Sequence, residues 1–86
     1  MSQFYFEPIR YKDSGKLVYL IQCRLYALGY YHEEILAPEY AYFDEHTQLA
    51  VGRYQRMSGI FPADTVVNKY TWETLGLTIE DYLENK

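Results

Sequence analysis

The feature that most constrains this chain is a repeated stop signal: segments with helical signatures end on Gly29, Gly59 and Gly76. In the first, Leu17, Val18, Ile21, Leu25 and Leu28 recur at intervals of three and four, which places them on one face of a helix. Phe43, Thr47, Ala50, Val51, Tyr54 and Met57 or Ser58 do the same in the second. Glycine tolerates the left-handed conformation that closes a last helical turn, so each segment has a defined end. The starts are marked as well. Asp13 or Ser14 is the expected N-cap of the first helix, Asp44 of the second and Asn68 of a third over Lys69 to Leu75. Thr78, with Asp81 three residues on, marks a last short turn with Ile79, Tyr82 and Leu83 facing inward.

The second and third starts share one plan. Phe43-Asp44-Glu45-His46-Thr47 and Val67-Asn68-Lys69-Tyr70-Thr71 each run apolar residue, cap, two residues, threonine. Ahead of the first helix, Phe4 to Tyr11 contains Pro8 and reads as an extended arm or short edge strand. Between helices, Tyr30 to Tyr42 is a connector in which Pro38 forbids a regular helix. The expected architecture is a single compact, mostly α, three-helix domain with short loops and an aromatic arm. Its divisions are 1–8 for the arm, 9–77 for the helical domain and 78–86 for the C-terminal turn.

Several residues together also carry a family resemblance. Ile9, Gly15, Val18, Ile21-Gln22, Leu25 and Leu28-Gly29-Tyr30 resemble the opening of peptidoglycan-binding domains of bacterial cell-wall proteins. Phe43-Asp44, Thr47, Ala50-Val51 and Tyr54-Gln55 are similar to that family's second block, and Asp64 to Val67 with Thr71-Trp72 and Leu75-Gly76 to its third. Three motifs in the right order over residues 9 to 77 are a fairly specific signal. The chain departs from the pattern at Thr65 and Asn68, where the family has Gly, and at Lys69, where it has Pro. Thr65 would be strained if that position needs a positive φ. The connector is also longer than the family's first loop.

The resemblance implies non-catalytic recognition of peptidoglycan glycan or stem peptide, which would localise an attached or associated hydrolase or machine at the wall. The alternative is a protein–protein adaptor, with other subunits of a phage-tail-like or contractile assembly as partners.

Composition sharpens this. Eleven Tyr, four Phe and one Trp make 19% of 86 residues, more than a core this small needs, so some rings belong on the surface. A helical wheel puts Tyr19, Gln22 and Tyr26 on one side of the first helix, with Cys23 beside them. They form either a platform for a flat polar ligand or a cover for the arm. Tyr31, Tyr40 and Tyr42 are expected on the surface, where rings could stack on sugars while Glu33, Glu34 and Glu39 accept hydrogen bonds. Tyr30 and Phe43 read as packing staples. Gln22 and Gln55 lie next to the core and need partners, which a ligand or the loop backbone could supply.

Other chemistries lack support. The net charge of −4, with no basic run, argues against nucleic acid and anionic membranes. No stretch is long enough to insert in a bilayer. The start lacks the basic and apolar regions of a signal peptide, so synthesis in the cytoplasm is expected, with action at the wall or in an assembled particle. His32 and His46 sit in no metal-ligand pattern, and Cys23 falls within a helix, where an inert buried or half-buried thiol is expected. No carboxylate pair stands out. No catalytic residue, metal or cofactor is expected.

Overall fold

The computed structural model describes residues 4–31 and 39–86. Its helices are α1 (Lys16–Ala27), α2 (Glu45–Met57), α3 (Lys69–Thr74) and α4 (Ile79–Asn85). The fold is mostly helical, and no strand forms among the described residues. Of the connector, His32, Glu33, Glu34 and Pro38 lie outside the described residues.

The glycine stops act as expected. Gly29, Gly59 and Gly76 have φ of 83°, 71° and 94°. The helix ends are built alike: the glycine N–H bonds to the carbonyl three residues back, and the next N–H reaches five residues back. The second of these bonds joins Tyr30 to Leu25, Ile60 to Gln55 and Leu77 to Trp72. Each satisfies carbonyls that the last turn would otherwise leave orphaned.

The helix starts are more varied. Asp44 and Asn68 each accept the N–H of the threonine three residues on, and Thr78 with Asp81 forms a reciprocal capping box. For α1 the expected cap is corrected. Gly15 occupies the position and no side chain caps it, while the Asp13 carboxylate turns back to the N–H of Arg10.

The core gathers Val18, Ile21 and Leu25 of α1, Ala50, Val51 and Tyr54 of α2, Trp72 of α3 and Tyr82 of α4, with Phe43 and Val67. Three apolar positions expected to face inward lie on the exposed side instead: Leu28, Met57 and Leu83. Leu28 and Met57 sit in the last turns, where the chain already swings into its glycine stop. Leu83 follows Tyr82, which takes the inward place in the short α4.

The arm is extended but pairs only at isolated points. Ile9 exchanges both backbone hydrogen bonds with Val67. The Lys12 N–H donates to the Phe43 carbonyl and the Phe43 N–H to the Asp13 carbonyl. One segment thus ties down the residue preceding the cap of both α2 and α3. Phe6 stacks on Tyr82, with ring centroids 4.3 Å apart, and lies 5.7 Å from Trp72. Trp72 donates its indole N–H to the Thr78 carbonyl at 2.7 Å. The Phe4 and Phe6 rings of the arm are therefore covered by α3 and α4, through Trp72 and Tyr82.

Candidate ligand-binding surfaces

The two glutamines occupy equivalent places. Gln22 Nε2 donates to the carbonyls of Glu39 and Tyr42 and to Thr47 Oγ1, while its Oε1 accepts the N–H of Ala41. Gln55 Nε2 donates to the Val66 carbonyl and, at 3.4 Å, to Thr71 Oγ1; its Oε1 accepts the N–H of Thr65. Each amide therefore clamps a residue of positive φ, the carbonyl after it and the threonine of the next helix. Ala41 has φ 55° and Thr65 φ 66°, so the strain expected at Thr65 is present. The shared plan of the helix entries thus extends back to a glutamine in the preceding helix. Both amides are buried and point into the loops that follow them.

Tyr31 differs from its expectation of surface exposure. It is only 9% exposed, and its hydroxyl lies 2.8 Å from Thr47 Oγ1. Burial pushes its pKa up to about 12, against the opposing effect of the Thr47 hydrogen bond. The reason is position: Tyr31 follows directly on the closed end of α1 and drops onto the Gln22–Thr47 network. Tyr30 and Phe43 do pack as staples, Tyr30 edge-on to Tyr54 at 5.3 Å and Phe43 fully buried.

The remaining candidates on α1 form an outward face. Tyr26 is 60% exposed, Tyr40 77% and Tyr19 37%. The Tyr19 and Tyr40 rings lie 5.0 Å apart, and Tyr26 stands 6.3 Å from Tyr31. Cys23 lies between Tyr19 and Tyr26 and is exposed, a correction to the buried or half-buried thiol expected. A hydrogen bond with Cys23, followed by charge repulsion from it and from Tyr40, raises the Tyr19 pKa. The face offers aromatic rings and hydroxyls at a helix surface, with Tyr40 brought to it by the end of the connector.

Tyr42 is half-buried and faces elsewhere, into a small cleft with Tyr11, Asp44, Glu45 and His46. Asp44 there accepts N–H bonds from both Glu39 and Thr47. Burial pushes its carboxyl up, but those bonds outweigh it and hold the pKa below the usual value.

A larger groove of about 620 Å³ was not foreseen from the sequence. It runs between the arm, the start of α1 and the end of α4, with Tyr5, Glu7, Lys16, Tyr82 and Lys86 among its walls. Its residues come from both ends of the chain, so no local motif could reveal it. The exposed aromatic Tyr5 in the arm was the one available signal. Among the described residues, no group of three or more His, Cys, Asp or Glu is placed to hold a metal ion. No helix among them is long and apolar enough to cross a membrane.

No curated protein and no solved structure matches the chain. A family model does, over residues 14–75, which takes in α1, α2 and α3 with the glutamine clamps and helix caps. That span is well over half of the 86 residues, and it shows that the chain belongs to the peptidoglycan binding domain family.

Proposed function

We propose that this domain is a non-catalytic module that holds bacterial peptidoglycan through the tyrosine face of α1. Family membership supports the wall as the target. The observation that carries the site is the exposure of Tyr19, Tyr26 and Tyr40 together on one surface. Rings so placed can stack on sugar faces, and their hydroxyls can bond to the sugar or its amides. Such contacts are individually modest. Their value lies in raising the local concentration of whatever machine or hydrolase carries the domain at the wall.

The test is a pull-down on purified, insoluble peptidoglycan with the parent and the combined Tyr19→Ala, Tyr26→Ala, Tyr40→Ala variant. Retention of the parent and its loss in a variant with an unchanged unfolding midpoint is the expected result. A parent that stays in the supernatant would sink the proposal.

A second reading uses the same face as a protein-binding surface in a larger assembly. It is favoured by the tyrosine side chains around Cys23, since tyrosine is enriched in protein interfaces. A stable complex with proteins of the same operon, together with no retention on the wall, distinguishes it.

A further inference from the structure

We infer that the groove between the arm, the start of α1 and the end of α4 is a second binding site, for a short peptide bearing both ammonium and carboxylate groups. The inference rests on the wall reading above and gives the site a substrate class, the stem peptide rather than the glycan.

Size is the first ground. At about 620 Å³ the groove falls within the roughly 300–1,000 Å³ of ordinary ligand sites. Its construction is the second. Tyr5, Glu7, Asp13, Tyr82 and Lys86 all line it, and all lie outside residues 14–75. The groove is thus built jointly by the start of the matched span and by segments on either side of it.

Its walls are held firmly. Phe6 is clamped between Tyr82 and Trp72, and the N–H of Glu7 donates to the Tyr82 hydroxyl at 3.0 Å. Tyr5, next to Phe6, is nevertheless 76% exposed, so a fixed backbone presents a free ring at the groove.

Charge selects the ligand. The lining contains two ammonium groups, Lys16 and Lys86, and two carboxylates, Glu7 and Asp13. All four residues are exposed, and none takes part in an ion pair within 4 Å among the described residues. A neutral sugar would use none of this charge. A peptide with a diamino acid and a terminal carboxylate has groups for both signs, and the exposed ring of Tyr5 can take an alanine methyl.

The test is a titration of the ¹⁵N-labelled domain with two probes, a synthetic stem tetrapeptide (Ala–γ-Glu–diamino acid–Ala) and an oligomer of N-acetylglucosamine. The tetrapeptide is expected to shift the amides of Tyr5, Glu7, Lys16 and Lys86, and the sugar oligomer to leave them in place. Combined Lys16→Ala and Lys86→Ala should weaken tetrapeptide binding about fivefold, the scale of one or two exposed charge contacts, and raised salt should do the same. Both lysines are exposed, so the fold should survive, and unchanged amide dispersion would confirm it. Groove amides that do not move with the tetrapeptide, or that move with the sugar, overturn the inference. If the parent is still retained on intact wall in that case, the wall reading stands and only the peptide groove falls.

Discussion

Replacing Gln22 by leucine removes the clamp on the connector at nearly constant volume, so the loss can be worked from the bonds. Four partners lose their contacts: the carbonyls of Glu39 and Tyr42, Thr47 Oγ1 and the Ala41 N–H. Three of them keep another partner. Thr47 keeps the Tyr31 hydroxyl at 2.8 Å, the Tyr42 carbonyl keeps the Asp44 N–H at 2.9 Å, and the Glu39 carbonyl keeps the Tyr42 N–H at 3.2 Å. Only the Ala41 N–H, on a half-exposed residue, is left without a protein partner. At roughly 1–3 kcal/mol for an unsatisfied group, the expected cost is about 2 kcal/mol. At roughly 0.05–0.15 kcal/mol per residue the whole domain holds on the order of 4–13 kcal/mol, so the variant folds but is markedly weakened. A urea titration followed by the fluorescence of Trp72, fully buried in the core, reads this directly. With a slope of about 1 kcal/mol per molar, the midpoint should fall by about 2 M. A loss below about 1 kcal/mol would show that water or a loop shift replaces the clamp, and would refute the reasoning. Gln22→Glu adds a test of sign. Its new oxygen would face three acceptors, so the folded state favours the protonated acid and raises its pKa. Between the unfolded and folded pKa values the native state then holds more protons, and stability falls as pH rises. The variant's deficit relative to the parent should be smaller at pH 4 than at pH 7; the reverse order would exclude this geometry.

Three further perturbations have defined signs. Thr65→Gly relieves a left-handed threonine, worth roughly 1–2 kcal/mol, against the roughly 0.5–1 kcal/mol that glycine loses in backbone entropy. A net gain of about 0.5–1 kcal/mol should raise the melting temperature by a few degrees, and a fall would show that the Thr65 methyl, which fills the space a Cβ on Gly52 would need, matters more. Asp44→Ala removes the cap of α2 at a cost of about 1 kcal/mol. Because the Asp44 pKa is lowered in the folded state, that contribution is present above the ordinary carboxylate pKa and lost as pH falls through the folded value, so parent and variant should converge in acid. Tyr31, raised from 10.0 to about 12, should ionise late in a spectrophotometric titration, and its contribution should hold below pH 10 and vanish as pH climbs through about 12. A Tyr31→Phe variant with the same titration curve would contradict this.

The helices were legible because their signals are local. A cap, an apolar stripe and a terminal glycine lie within one element, and α2 and α3 begin where Asp44 and Asn68 place them. Partners distant in sequence were not legible. Arg24 closes the end of α3 by donating to the Leu75 carbonyl at 2.7 Å, a contact across 51 positions that no periodicity marks. The same holds for α1, where Asp13 looked like a cap but serves the turn behind it, and Gly15 takes the cap place while its N–H goes to the Ala41 carbonyl. Tyr31 and Cys23 exchanged their expected environments for a related reason. A wheel assigns faces on a helix, but which face is buried depends on where the connector returns, and its Tyr40 returns beside Tyr19.

The satisfied amides also decide where recognition can reside. Gln22 and Gln55 lie in the matched family span and looked like candidate contacts, yet a ligand could reach either only by displacing a bond already made. Each displaced internal partner that stays dry would cost roughly 1–3 kcal/mol, against the roughly 0.5–1.5 kcal/mol that a typical hydrogen bond to a ligand returns. Binding through these amides would therefore require the Ala41 or Thr65 loop to open at the same time. A wall-binding defect in a Gln22 or Gln55 variant would consequently read lost stability rather than lost recognition, whereas Tyr19, Tyr26 and Tyr40 can be truncated at the surface without unmaking the clamps. If Gln55→Leu abolished retention on peptidoglycan while its urea midpoint stayed at the parent value, this division of labour would be wrong, and the amide would have to be counted among the ligand's contacts.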